Sequence, residues 1–345
     1  MKSKLLFLLL LLGSSYITAQ TVIENPPFET RQGSIHTISK IELSPTETRL
    51  TIRTVFRPQW WTSLDSLTYI YAPESKKQLY PLRIEGRKFG EQVTTPASGI
   101  IEDDCVITYP PLPEGTTRID WMDDNLNSET NTYGILLVKP QETKEQASLR
   151  KIHGNWQQAD AQNGWDIGIY DSLAIMDNRF WKYDLCRKQG KKFKLNLKDE
   201  TGEQCLLEIT QEKDGNLCIG KNGGKANKYI RAGRPQRNYA ATTAATAPQT
   251  AFFRKDTVHI RGFLDGYSPK LGFTTVLIYT DNHITNEGTP AVVTIHPDGR
   301  FESDFVVNYP GVHHLSMGNN WMTFYIRPGE TLMLYINWED HLDYL

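Results

Sequence analysis

Cysteine is scarce in this sequence. There are four in 345 residues, Cys105, Cys186, Cys205 and Cys218, and no two of them have CxxC spacing. We therefore expect free thiols packed on strands, with one bridge in the middle region as the alternative. The lack of CxxC and HxxxH spacing argues against zinc. Gly-x-Ser-x-Gly, phosphate-loop and HExxH motifs are also missing, so the sequence predicts no catalytic residue, no metal and no cofactor.

Long apolar runs are equally rare. The run Leu5–Leu12 follows Lys2 and Lys4 and is succeeded by small and polar residues up to Ala19. A run of this length is too short to span a membrane, and its setting is typical of a cleaved signal peptide, predicted over residues 1–19. No later run is long enough to cross a bilayer, so we expect an exported protein without a transmembrane segment.

Charge of one sign is in excess only locally. The net charge is -2 at pH 7, and only residues 150–237 are basic. The lysines of that region fit an anionic partner, but most fall in predicted turns, where they keep strand edges soluble. A nearly neutral exported chain is not expected to bind nucleic acid.

The region 33–140 has the alternating pattern of short strands separated by turns. In ISKIELSPTETRLTIRTVF, Ile41 and Leu43 precede a Ser-Pro-Thr-Glu turn and Leu50, Ile52 and Val55 follow it, an alternation typical of a hairpin with one face in a core. LTYIYAPESKKQLYPLRIEG repeats this pattern. CVITYPPLPEGTTRIDWMD does so again, with prolines that take the chain out of the sheet. We predict an antiparallel sandwich of immunoglobulin-like type.

The region 152–232 follows a polar stretch, QETKEQASLRK, which predicts a short helix or a linker. Its strands are separated by Asp-Asn, Gln-Gly-Lys, Thr-Gly-Glu and Lys-Asp-Gly, which tolerate positive φ. At least six short strands, neighbours in sequence, favour a small meander that closes into a barrel. Gly154-Asn155-Trp156 resembles the Gly-x-Trp opening of lipocalin-type barrels.

The third region, 252–338, follows an Ala/Thr/Pro-rich stretch that predicts an extended linker over 233–251. It contains six or seven predicted strands. Pro297-Asp298-Gly299 is predicted to join Val292–Ile295 to Phe301–Val306 in a hairpin, and Pro328-Gly329 to join the last two strands in the same way. We predict a second β-sandwich, and the fold class is all-β.

The third region is similar to the β-sandwich that precedes the thioredoxin domain in exported TlpA-like thiol:disulfide oxidoreductases. Ile260-Arg261-Gly262, HPDGRFESDF and RPGETLMLYIN are the residues that resemble that family. The resemblance implies a non-catalytic accessory part of a Gram-negative periplasmic or cell-envelope protein, with a thioredoxin-like redox protein as a partner. The family's CxxC has no counterpart in this sequence, so its catalysis is not implied. Residual thiol–disulfide exchange through Cys186, Cys205 or Cys218 is the enzyme alternative.

Tryptophans are the candidate ligand-binding residues. Adjacent strand residues point to opposite faces, so we expect one of Trp60 and Trp61 in the core and the other exposed, where it stacks on a ligand or covers a sheet edge. Trp156, Trp165 and Trp181 fall in the predicted barrel, where they either line a cavity or fill the interior. Eight Trp and sixteen Tyr on β-scaffolds make recognition of an envelope glycan the alternative function.

Overall fold

The computed structural model describes residues 21–124, 130–138, 143–160, 165–232, 253–282, 285, 287–318 and 320–342. Two short α-helices and two 3-10 turns accompany the strands in these residues, so the all-β prediction is confirmed. The predicted signal peptide and the predicted linker lie outside the described residues. The chain divides into two compact units, one formed by Met1–Lys139, Gly266–Leu271 and Asn337–Leu345, the other by Pro140–Asp265 and Gly272–Ile336.

The first unit is a β-sandwich. Its two five-stranded sheets have the strand orders β1-β3-β4-β10-β8 and β2-β12-β11-β6-β7, and β5 pairs separately with β9. The strands are β1 (Thr21–Glu24), β2 (Thr30–Arg31), β3 (His36–Leu43), β4 (Thr48–Val55), β5 (Trp61–Thr62), β6 (Thr68–Ala72), β7 (Lys77–Leu79), β8 (Arg83–Glu85), β9 (Val93–Thr94), β10 (Ile100–Tyr109), β11 (Arg118–Asp123) and β12 (Thr132–Leu136).

Two of the hairpins predicted in this sandwich are confirmed. β3 pairs with β4 across the Ser-Pro-Thr-Glu turn, in which the Ser44 amide donates to the Glu47 carbonyl at 3.0 Å, and β6 pairs with β7. β10 and β11 instead lie in different sheets, because the proline-rich segment between them takes the chain from one sheet to the other. Between the sheets, the buried Trp121 indole donates to the Tyr109 hydroxyl at 3.0 Å.

The last described residues also belong to the first unit. They form the helix α2 (Trp338–His341), which is capped by the Asn337 side chain. The Trp338 indole donates to the Arg31 carbonyl at 2.7 Å, and Glu339 forms an ion pair of 2.6 Å with the Arg31 guanidinium. The residues after the final strand therefore complete the first sandwich, although they are far from it in sequence.

The second unit begins with the helix α1 (Lys144–Leu149), which starts at a capping box formed by Thr143 and Gln146. A closed barrel of eight antiparallel strands follows. Its turns have the positive φ angles that their sequences predict, including 52° at Asp177 and 55° at Asn178. The strands are β13 (Gly154–Gln158), β14 (Ile167–Ile169), β15 (Leu173–Met176), β16 (Arg179–Gln189), β17 (Lys192–Lys198), β18 (Gln204–Gln211), β19 (Leu217–Lys221) and β20 (Asn227–Arg231).

Seven further strands of the second unit form two sheets. Their orders are β24-β21-β27 and β23-β22-β25-β26. In the part of the chain that the structure describes, no helix is long and apolar enough to cross a membrane. The strands are β21 (Asp256–Asp265), β22 (Thr275–Asn282), β23 (Glu287–Thr294), β24 (Arg300–Val307), β25 (Gly311–Met317), β26 (Asn320–Ile326) and β27 (Thr331–Asn337).

The two hairpins predicted in this region are wrong. The Pro297-Asp298-Gly299 turn exists, with the Gly299 amide donating to the His296 carbonyl at 2.8 Å, but β23 and β24 on either side belong to different sheets. The Pro328-Gly329 turn likewise separates β26 from β27, which are not in one sheet. The turn residues set only the local chain reversal, whereas β22 and β21 supply the actual pairing partners.

Gly262 allows the close packing of β21 against β24. It lies opposite Phe301, which is fully buried, and a Cβ atom at position 262 would overlap the Phe301 ring. We expect Gly262→Ala to lower the free energy of unfolding by about 1–3 kcal/mol or more, because the ring has no room to move. Urea unfolding measures this change.

The matched control for that substitution is Gly311→Ala, at the start of β25. A Cβ atom there would make ordinary contacts of 3.6 Å with His313 and Tyr309, so little change is expected. Equal stability of the two alanine variants would contradict the role of Gly262.

Candidate functional site

Both residues of the Trp60-Trp61 pair are exposed, at 51% and 52%, so the expectation of one buried ring is wrong. Alternation fails because Trp60 follows a turn in which Gln59 has a φ of 59°, and only Trp61 is in a strand. Thr62 takes the inward position instead and is buried.

The backbone beneath the exposed pair is held firmly. The Thr95 amide and hydroxyl both donate to the Trp60 carbonyl, at 2.9 and 3.0 Å, and the Thr95 side chain is buried. Trp61 is paired with Thr94 in the short β5-β9 ladder. The Arg57 guanidinium lies over the Trp60 ring, 5.7 Å from its centroid. Two adjacent indoles are therefore exposed on a segment whose backbone is fixed by hydrogen bonds.

Trp156 and Trp181 are part of the barrel core. Trp156 is fully buried, its indole donates to the Ile152 carbonyl at 2.9 Å, and the Arg231 guanidinium lies 4.8 Å from its ring centroid. The Trp181 indole donates to the Met176 carbonyl at 3.2 Å. Both rings pack among inward-facing apolar side chains, including Phe193, so here tryptophan fills the interior.

Trp165 has a different position. It lies before β14, is partly buried, and packs against a buried cluster that contains Phe263 of β21, as Met333 of β27 also does. Trp165 also lines a cleft of about 430 Å³ within the second unit. Of the three tryptophans predicted in the barrel, this is the one that the structure places beside a cleft, which is large enough for a small ligand.

Polar side chains from separate barrel turns surround this cleft. Asp177, in the tight turn between β15 and β16, forms an ion pair of 2.8 Å with Lys221 at the end of β19. The Asp166 carboxylate accepts from the backbone N–H of Gln158 at 2.8 Å. Tyr229 lines the same cleft, and burial raises the pKa of its hydroxyl. Sequence reasoning missed these residues, and the Asp-Asn turn is the only signal that pointed to one of them.

A second exposed aromatic group lies on the β23-β22-β25-β26 sheet. Tyr279 and Trp321 stack with ring centroids 5.2 Å apart, and Trp321 is 58% exposed. Tyr279 and Trp321 lie on the outer face of the sheet. Their neighbours along the strands, Ile278 and Met322, point to the other face and are buried and partly buried, respectively. The sequence pattern did not single out this pair, since neither residue has an unusual local setting.

All four cysteines are free thiols. Burial raises the pKa of Cys105 to about 12 and also raises the pKa of Cys205. The hydrogen bond from Cys218 to the Glu212 carboxylate, 3.2 Å long, raises the pKa of Cys218. Thiol–disulfide exchange needs a thiolate, so these environments suppress the reactive form. Among the described residues, no group of three or more His, Cys, Asp or Glu side chains is arranged to hold a metal ion.

Comparison with known proteins identifies no relative whose function bears on these residues. A scan against protein-family models finds no match, and a search of curated proteins finds no significant one. Among solved structures, the chain is similar at 8% identity to pullulanase from Bacillus acidopullulyticus, with a TM-score of 0.16. The similarity covers 81% of this chain and 33% of that protein, so the chain spans about a third of its length. A TM-score this low carries no argument about fold or function.

Proposed function

We propose that this chain is a non-catalytic binding protein of the bacterial cell envelope and that it recognises carbohydrate. The observation that supports this proposal is the exposed Trp60-Trp61 surface. Its two rings are half exposed, and the backbone that presents them is fixed by Thr95. A sugar ring stacks its C–H face on an indole, and a rigid indole loses little conformational entropy when it binds.

The cysteines support the non-catalytic part of the proposal. Cys105 belongs to the sandwich core and Cys205 to the barrel core, and the pKa values of both are raised by burial. A buried thiol with a raised pKa behaves as a small apolar side chain. The relation to the front part of TlpA-like oxidoreductases, and a thioredoxin-like partner, stay predictions from the sequence.

Binding of the full chain to a glycan array that includes bacterial envelope polysaccharides tests the proposal. We expect Trp60→Ala and Trp61→Ala each to weaken binding at least about tenfold, as the loss of a central aromatic contact does. Tyr80→Ala is the matched control, because Tyr80 is an aromatic residue of the same unit with 48% exposure. Silence of the array with wild-type protein, or equal losses in all three variants, would refute carbohydrate recognition through this surface.

A further inference from the structure

The cleft beside Trp165 has an aromatic wall that is held in place. Trp165 packs against a buried cluster that contains Tyr170 and Phe263, and it also lines the cleft. Tyr170 in turn stacks on Tyr335, with ring centroids 4.5 Å apart and planes inclined by 6°. A ligand that stacks on Trp165 therefore meets a preorganised surface.

Two of the side chains that line the cleft, Asp166 and Asp177, are carboxylates, which only accept hydrogen bonds. One oxygen of the Asp166 carboxylate accepts a hydrogen bond from the backbone N–H of Gln158, and one oxygen of the Asp177 carboxylate accepts from the Lys221 ammonium. Each carboxylate has a second oxygen, and each oxygen has two lone pairs, so both accept further hydrogen bonds from ligand hydroxyls. Asp177 is 64% exposed and Lys221 is 40% exposed in their side chains, so both are accessible from solvent.

The charge of the cleft restricts the ligand. Among the described residues that line it, the charged side chains are Asp166, Asp177 and Lys221. Two carboxylates and one ammonium leave a net negative charge, and the ammonium is already paired with Asp177. A phosphate or uronate is repelled by this arrangement. A wholly apolar ligand is also disfavoured, because it would displace solvent from the carboxylates without donating hydrogen bonds in its place.

From this combination we infer that the cleft is a binding site for a neutral saccharide. The sugar ring stacks on Trp165, and its hydroxyls donate to Asp166 and Asp177. The inference rests on the proposed function, which it deepens, because it adds a second site and names the ligand as an uncharged sugar. Cavities that hold small ligands have volumes of about 300–1,000 Å³, and this cleft, at about 430 Å³, lies in that range.

Isothermal titration of the full chain with four neutral disaccharides, namely maltose, cellobiose, lactose and chitobiose, tests the inference. Glucuronic acid and glucose 6-phosphate serve as anionic probes. We expect saturable binding of at least one neutral disaccharide, and Asp177→Asn should weaken it at least about tenfold, because the acceptor for the ligand hydroxyl changes from a charged carboxylate to a neutral amide. Asparagine tolerates the positive φ of this turn, so the variant keeps the fold. Trp165→Leu, which keeps an apolar side chain, should weaken binding about threefold to tenfold.

The matched control is Asp214→Asn. Asp214 lies in another turn of the same barrel and pairs with Lys228 at 3.2 Å, so it reproduces an Asp–Lys pair away from the cleft. Its substitution should leave saccharide binding unchanged. The inference is overturned if no neutral disaccharide binds, if Asp177→Asn and Trp165→Leu bind as wild type does, or if an anionic probe binds more tightly. If the wild-type chain binds no disaccharide but still binds the array through Trp60, this site alone is rejected. If it binds neither, the proposed function is rejected as well.

Discussion

Replacing Arg87 by Met should lower the free energy of unfolding by about 3–5 kcal/mol, the largest effect that we expect from a single polar residue in this chain. The Arg87 guanidinium contacts the Asp104 carboxylate at 2.7 Å, and the two side chains are 2% and 4% exposed. Arg87 also donates to the carbonyls of Thr62 and Glu91, at 3.3 and 2.8 Å. Without Arg87, a buried carboxylate loses its counter-ion while one hydroxyl, that of Thr54, still donates to it at 2.7 Å.

Urea unfolding measures this loss, and two further variants locate its cause. Arg53→Met removes an exposed pair with Glu102 between the neighbouring strands β4 and β10, and it should be close to wild type, because exposed ion pairs contribute little. The double variant Arg87→Met/Asp104→Leu should be more stable than Arg87→Met alone, because no unpaired charge stays buried. If Arg87→Met were no more destabilising than Arg53→Met, the buried Arg87–Asp104 pair would contribute no more to the free energy of unfolding than the exposed pair does.

The second large effect is a pH dependence that comes from His36. This side chain is buried on β3, where it contacts the Thr54 hydroxyl at 3.0 Å and the Ser63 carbonyl at 3.2 Å. Burial, together with the positive charge of Arg87, lowers the pKa of His36 from 6.5 to about 4. Between these two pH values the unfolded chain binds a proton at His36 and the folded chain does not.

The direction of the effect follows from proton binding. As the pH falls from 6.5 towards 4, protonation favours the unfolded chain, so His36 lowers the free energy of unfolding, and above pH 6.5 its contribution is constant. A pKa unit corresponds to about 1.4 kcal/mol, which makes the full loss about 3 kcal/mol. Burial also lowers the pKa values of His153 and His341, which therefore act in the same direction.

Comparison of wild type with His36→Asn isolates the contribution of His36. The difference in unfolding free energy between pH 7 and pH 4.5 should be smaller in the variant, because one group with a lowered pKa is missing. His296→Asn, at an exposed position, should keep the wild-type difference. An unchanged pH difference in His36→Asn would show that the pKa of this histidine is not lowered in the folded chain.

Much of the architecture could be predicted because it depends on residues close together in the sequence. Alternation and the Ser44–Glu47 turn are sufficient to predict the β3-β4 hairpin, and the Asp177-Asn178 dipeptide is sufficient to predict a tight turn with positive φ. Consecutive short strands with such turns also favour the barrel, which the structure shows closed. The actual partners of β23 and β24, which are β22 and β21, could not be predicted in this way, because the packing of whole sheets selects them.

The candidate sites also depend partly on local sequence and partly on tertiary packing. Composition alone drew attention to Trp60, Trp61 and Trp165. Their exposure, however, depends on a turn at Gln59, on Thr95, and on residues of β21 and β27 that pack with Trp165. Lys221 and Asp177 are 44 positions apart and meet only because the barrel closes.

Local residue chemistry thus settles that this chain forms antiparallel strands with defined turns and no CxxC centre. Long-range packing decides which strands share a sheet, which tryptophans face solvent, and that Arg87 and Asp104 meet as a buried pair in the first sandwich. The reason is physical: backbone propensity and turn geometry act over a few residues, whereas pairing, burial and pKa depend on neighbours that only the folded chain brings together.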